Sequence, residues 1–219
     1  MSEENYRTYS SYESIEEVCD IFGYICEYDE FVQEKKYILN DYFEKKLRID
    51  FANMKNFVNE FVICESIIRP ILSDLSIAND LPLFSHTKLE YDKDLGLTGV
   101  PDYFLAPLLA KGSSRFTTPV VCLGEAKKDD FVKGWGQVAA GMIAAQKLND
   151  NEDVPIYGLV STGKSWEFGY LKNKTFTIDT NSLIAPKHLN EVLNSVNWMF
   201  SEARKNLDLI KELNKAKTK

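Results

Sequence analysis

The chain has 219 residues, with 26 Lys and Arg against 33 Asp and Glu, for a formal net charge of −7. That length suits one domain with one sizeable core. The acidic balance excludes a tight, non-specific DNA coat protein, because phosphate contacts demand a basic footprint. It leaves room for an enzyme whose acidic centre needs only a divalent cation and a local basic rim.

In chain order, residues 14–20 read as a short helix with acidic residues in its first turn. Residues 24–32 read as a strand and 34–46 as a helix. Residues 56–75 carry a helical period that puts Phe61, Glu65, Ile68 and Leu72 on one face, with a kink or early stop expected at Pro70. Residues 84–91, 97–105 and 119–126 are strand-like, and 111–118 read as the loop before the last of them. Residues 130–148 form a Gly- and Ala-rich helix; 155–161 and 165–171 form two strands joined through Thr162-Gly163-Lys164. A long amphipathic helix over 186–215 presents Val192, Val196, Met199, Ala203 and Leu207, either to cover the core or to form a dimer seam. The expected fold is α/β, a mixed central sheet flanked by helices. Residues 1–219 form a single domain: an N-terminal extension to residue 55, a core over 56–172 and the C-terminal helix.

No apolar run is long enough to span a bilayer. Met1-Ser-Glu-Glu-Asn-Tyr-Arg7 lacks the basic and apolar regions of a secretory signal. Cys19, Cys26, Cys64 and Cys122 include no Cys-x-x-Cys pair, and the histidines are His86 and His188. Neither a zinc site nor a disulfide framework is expected, and reduced thiols in a cytoplasmic chain are.

The chemistry concentrates at two strand ends. Pro119-Val-Val-Cys-Leu-Gly is a short apolar run that leads straight into Glu125-Ala126-Lys127. On a strand, Glu125 and Lys127 point to one face. Buried charges are costly unless they pair or hold a metal. Upstream, Asp102 follows Pro101 between Val100 and Phe104, although Asp is disfavoured in strands. Each has a plain alternative: Glu-Ala-Lys is common on solvated helices, and an aspartate beside a proline suits a solvated bend. Two carboxylates and a lysine together suit phosphodiester hydrolysis. The carboxylates offer hard oxygen ligands to Mg²⁺ or Mn²⁺, and the lysine can position water and stabilise charge gained at phosphorus.

Pro101-Asp102…Glu125-Ala126-Lys127 resembles the signature of the PD-(D/E)XK nuclease superfamily, over roughly residues 59–171. The resemblance implies a restriction-endonuclease-like core, a Mg²⁺- or Mn²⁺-dependent nuclease (hydrolase) acting on DNA, metal binding by Asp102 and Glu125, and catalysis assisted by Lys127. It also implies roles for two further residues. Glu65 stands where members often carry a metal-site glutamate on the preceding helix; the alternative is a buried ion pair with Arg69. Gln137 stands where some branches place a catalytic-site glutamine, with Gly141 in place of the tyrosine of Gln-x-x-x-Tyr; the alternative is a helix-edge glutamine without a role. Cutting both strands would favour a homodimer. No membrane partner is expected.

Two other functions compete. One is a catalytically inactive nuclease-fold binding module, which the acidic charge favours. The other is a nucleotide binder, since Gly158-Leu-Val-Ser-Thr-Gly163-Lys164-Ser165 matches the P-loop pattern. That pattern counts only where a helix follows. Here Trp166, Phe168 and Tyr170 alternate, which predicts a strand and a hairpin turn.

Overall fold

The structure, a computed structural model, describes residues 6–217. A 3-10 turn, Tyr9–Ser11, leads to α1 (Ile15–Phe22), which Ser14 caps by accepting from the Glu17 N–H. Next come β1 (Ile25–Asp29) and α2 (Asp41–Ala52), then α3 (Glu60–Ile63), which continues through a π-helical turn (Cys64–Ile68) into α4 (Arg69–Ala78). The strands β2 (Leu83–Ser85), β3 (Leu89–Asp92), β4 (Leu97–Gly99), β5 (Tyr103–Leu105) and β6 (Cys122–Ala126) precede α5 (Phe131–Asn149). The chain closes with β7 (Ile156–Ser161), β8 (Ser165–Lys172), β9 (Thr175–Asp179), β10 (Leu183–Ile184) and α6 (Ala185–Lys217).

The main sheet runs β1-β9-β8-β7-β6-β5-β2, with β10 also pairing β8, while β3 and β4 form a separate ribbon. β6 and β7 are parallel, as are β1 and β9; the other pairings are antiparallel. This is the expected mixed sheet with helices on both faces. One face buries Ile67, Leu72 and Leu75 with Val192, Val196, Met199, Ala203 and Leu207 of α6. The C-terminal helix thus covers the core, and its apolar stripe is not a free dimer seam. The other face packs Val18 of α1 and Val138, Ile143 and Ala144 of α5. The N-terminal extension is woven into the same body, since β1 is an edge strand of the main sheet.

Local chemistry shifts several expected elements. The helix expected over 34–46 begins only at Asp41, because Asn40 caps it by accepting from the Phe43 N–H. Pro70 does not end its helix: it is the second residue of α4, directly after the π-helical turn that interrupts the α-helical ladder. The strand expected over 84–91 splits at His86, whose φ of 46° is left-handed. That over 97–105 splits around Pro101, which has no N–H for a ladder. β9 and β10 are strands beyond those expected, although Thr175-Phe-Thr-Ile178 does alternate polar and apolar residues.

Close contact between α5 and the sheet depends on Gly134. A Cβ there would meet Val160 Cγ1 at 2.5 Å and Lys127 Cγ at 3.1 Å. Gly134→Ala is therefore expected to cost about 1–3 kcal/mol by overpacking, read as a lowered urea midpoint with an unchanged slope.

Candidate functional site

The β5–β6 register places the two carboxylates. Tyr103 pairs with Gly124, so Asp102, one residue before β5, stands opposite Glu125. β6 then continues beside β7 alone, with Glu125 opposite Val160 and Ala126 opposite Ser161. Asp102 Oδ2 accepts from the Ala126 N–H at 2.8 Å, and Glu125 Oε2 accepts a long bond from the Asp102 N–H at 3.4 Å. The Lys127 backbone N–H donates to Ser161 O, and its Nζ donates to Glu125 Oε1 at 2.9 Å. The side chains of Glu125 and Lys127 are only 13% and 7% exposed, so this is a buried ion pair. Asp102, Glu125 and Lys127 are thus brought together.

Burial first, then the charge of Asp102, pushes the Glu125 carboxyl up to about 7, against the opposing pull of Lys127. Burial works against the Lys127 ammonium, yet Glu125, Glu60 and Asp102 outweigh it and leave that pKa above its ordinary value.

Two further neighbours lie outside the sequence motif. Glu60 Oε2 lies 3.9 Å from Lys127 Nζ, and His86 Nδ1 lies 3.4 Å from Asp102 Oδ1. The His86 N–H also donates to the Asp102 carbonyl. Neither stands in a periodic pattern, although Asn59, an N-cap residue, does mark where Glu60 enters its helix.

Glu65 does not lie on an apolar face. It is exposed, as is Phe61 at 64%, while Ile68 and Leu72 are buried. The π-helical turn between them supplies an extra residue per turn, which rotates the preceding face away from the core. The carboxylate of this helix that approaches Lys127 is Glu60. No ion pair joins Glu65 to Arg69 among the described residues.

Gln137 does reach the site. It is buried and lines a cavity of about 250 Å³ together with Glu125, Val138 and Tyr9. Its Oε1 has no hydrogen-bond partner among the described residues, an unusual state for a buried acceptor. Among the described residues, no three His, Cys, Asp or Glu side chains are arranged to hold a metal ion. Asp102, Glu125 and the Gln137 amide oxygen are hard donors of the kind Mg²⁺ takes, but of these only Glu125 and Gln137 line this cavity.

The other motifs resolve structurally. Thr162-Gly163-Lys164 is a hairpin turn between antiparallel β7 and β8, with Gly163 at φ 76°. Its Gly163 N–H donates to Ser161 Oγ and its Ser165 N–H to Thr162 Oγ1, while Lys164 lies over the Phe57 ring. No helix N-terminus follows this turn to hold phosphates. ATP is therefore expected to leave the thermal midpoint unchanged in a melting assay. Trp166 and Phe168 are core residues. The four cysteines are free thiols, and no helix of the described residues is long and apolar enough to cross a membrane.

The chain matches no protein-family model, no curated protein and no solved structure.

Proposed function

We propose that this chain is a Mg²⁺- or Mn²⁺-dependent phosphodiesterase of the PD-(D/E)XK type, acting on DNA. The observation that carries the reading is the convergence of Asp102, Glu125 and Lys127 where β5 begins and β6 ends. The order α3–α4, β2, β5, β6, α5, β7, with β6 and β7 parallel, supports a restriction-endonuclease-like core around it. Asp102 and Glu125, with Gln137, would hold the cation, which when bound polarises a phosphate and lowers the pKa of water. Lys127, held beside Glu125, would orient the attacking water and stabilise charge developing on the phosphate. The test is incubation of the purified protein with single- and double-stranded DNA in Mg²⁺ or Mn²⁺. Absence of cleavage, or cleavage that survives Asp102→Ala and Lys127→Ala, would sink the proposal.

A second reading, a nuclease-fold binding module without turnover, is favoured by the net charge of −7 and by the lack, among the described residues, of three His, Cys, Asp or Glu side chains arranged to hold a metal ion. Calorimetric titration with Mn²⁺ separates the two, since the module predicts no binding at Asp102 and Glu125.

A further inference from the structure

We propose that the open edge of β1 docks an extended, Lys- and Arg-rich segment of another protein, which joins the main sheet as a further strand. The inference stands apart from the phosphodiesterase reading, because β1 ends the sheet opposite β2 and takes no part in the Asp102–Glu125–Lys127 centre.

β1 is paired on one side only. The Ile25 N–H donates to Lys174 O, and the Asp29 carbonyl accepts from the Thr180 N–H, both on the β9 side. Backbone groups alternate in direction along a strand, so Ile25, Glu27 and Asp29 turn theirs to β9. The N–H and C=O groups of Cys26 and Tyr28 point the other way and have no hydrogen-bond partner among the described residues. Such a row is a template for another strand. Nothing covers it: Ile25 is 62% and Tyr28 63% exposed, with Glu27, Asp29 and Glu30 exposed beside them. Of the devices that blunt a free edge, β1 uses charge alone. It contains no proline, and its register with β9 has no bulge.

That charge selects the occupant. Residues 8–34 hold eight Asp and Glu and no Lys or Arg. Arg7 pairs with Glu17 and Lys133 with Glu13, but Glu16, Asp20, Glu27 and Glu30 form no ion pair among the described residues. Glu16 and Glu27 lie at the edge itself: the Cys26 thiol is pushed up to about 11 by burial first, then by Cys19 and these two glutamates. A second copy is disfavoured by the same groups. Pairing β1 with β1 across a two-fold axis sets Glu27 and Asp29 of one chain against those of the other, and like charges facing each other weaken a ladder. A nucleic-acid strand meets the same repulsion.

Side-chain alternation sets what the segment needs. Glu27 and Asp29 stand on one face of β1, and Cys26 and Tyr28 on the other. A guest strand with Lys or Arg at every second position meets the two acids, and apolar residues between them cover the Tyr28 ring. Main-chain hydrogen bonds then supply affinity, and the alternating side chains supply specificity.

The experiment is fluorescence anisotropy of the full chain with a labelled, end-capped Lys-Val-Lys-Val-Lys-Val-Lys peptide. Binding is expected for this peptide and not for the same peptide with Glu in place of Lys. N-methylation of its backbone amides keeps the charges but removes the ladder donors, and is expected to abolish binding. Tyr28→Pro removes an N–H that β9 does not use, and is expected to bind about 10-fold more weakly than Tyr28→Ala, which keeps that N–H. Glu27→Gln with Glu30→Gln is expected to weaken binding and flatten its dependence on salt. Circular dichroism checks that the variants fold. In wild type, hydrogen exchange locates the site: the Cys26 and Tyr28 amides should exchange freely alone and become protected on saturation with peptide. Equal affinity for the Glu peptide or the methylated one, Tyr28→Pro binding like Tyr28→Ala, or no protection at Cys26 and Tyr28 overturns the inference. So does a concentration-dependent dimer that Tyr28→Pro dissociates, which assigns the edge to a second copy.

Discussion

Lys127→Ala is expected to lower DNA cleavage by about 10²–10³-fold, the usual loss when one donor aimed at transition-state charge is removed. It is also expected to destabilise the fold, and by a pH-dependent amount. In the native chain Lys127 Nζ holds Glu125 Oε1 at 2.9 Å, with both side chains withdrawn from water. Removing one partner of such a pair leaves an uncompensated buried charge, at a cost of about 3–5 kcal/mol. The carboxylate has an escape, because burial and Asp102 already raise its pKa to about 7. Without the lysine it rises further. At pH 6 Glu125 takes a proton and the penalty is small; at pH 8 the proton must be forced on or the charge left bare. Urea denaturation at the two pH values checks this: the gap between variant and wild type should widen on going from pH 6 to pH 8. An equal gap at both would show that Lys127 contributes by packing alone.

Asp102→Asn should separate activity from stability. Asparagine keeps an acceptor for the Ala126 N–H, now met by Asp102 Oδ2 at 2.8 Å, so the local backbone should hold. Cleavage is expected to fall by at least about 10²-fold, since one of two carboxylate ligands and its charge are gone. Stability of the metal-free protein should move the other way. The folded chain holds the Glu125 proton more tightly than the unfolded chain does. The stability this contributes is therefore fully present below the ordinary carboxylate range and is lost as pH rises from about 4.5 to about 7. Removing the Asp102 charge lowers the folded pKa and narrows that window. The variant should be more stable than wild type at pH 8 by on the order of 1 kcal/mol, about the worth of one pKa unit, and no more stable at pH 4. Mg²⁺ should raise the wild-type thermal midpoint at pH 8 and do much less for the variant. A variant less stable at pH 8 would mean that Asp102 serves the fold as a structural acceptor rather than as half of a strained carboxylate pair.

Both predictions concern residues that local sequence pattern singles out. Glu125 and Lys127 are legible because a buried strand with period two delivers positions i and i+2 to one face, whatever surrounds it. Asp102 is legible as an acid in strand-like surroundings, and Gln137 as one polar residue on a small-residue helix face. The mixed sheet flanked by helices follows from the alternation of periods along the chain, and the hairpin at Thr162-Gly163-Lys164 from the aromatics after it.

Other features depend on contacts between distant segments. The opposition of Asp102 and Glu125 comes from the β5–β6 register, which no local pattern encodes. β9 is held between β8 and β1; its five residues, Thr175-Phe-Thr-Ile-Asp179, alternate polar and apolar, but the run is short. His86 and Glu60 reach the site through a left-handed turn and a helix entry, each a single-residue event. Glu65 marks the boundary most clearly. Counting by 3.6 puts it with the apolar face, but one π-helical turn, set by how α3 and α4 pack on the sheet, moves it and Phe61 to an open groove. Residue type and local periodicity are properties of short segments, so the chain alone specifies which side chains can do chemistry and on which kind of element each sits. Which of those side chains meet is a property of the folded whole, because register, helix phase and strand pairing are settled by packing across the entire core.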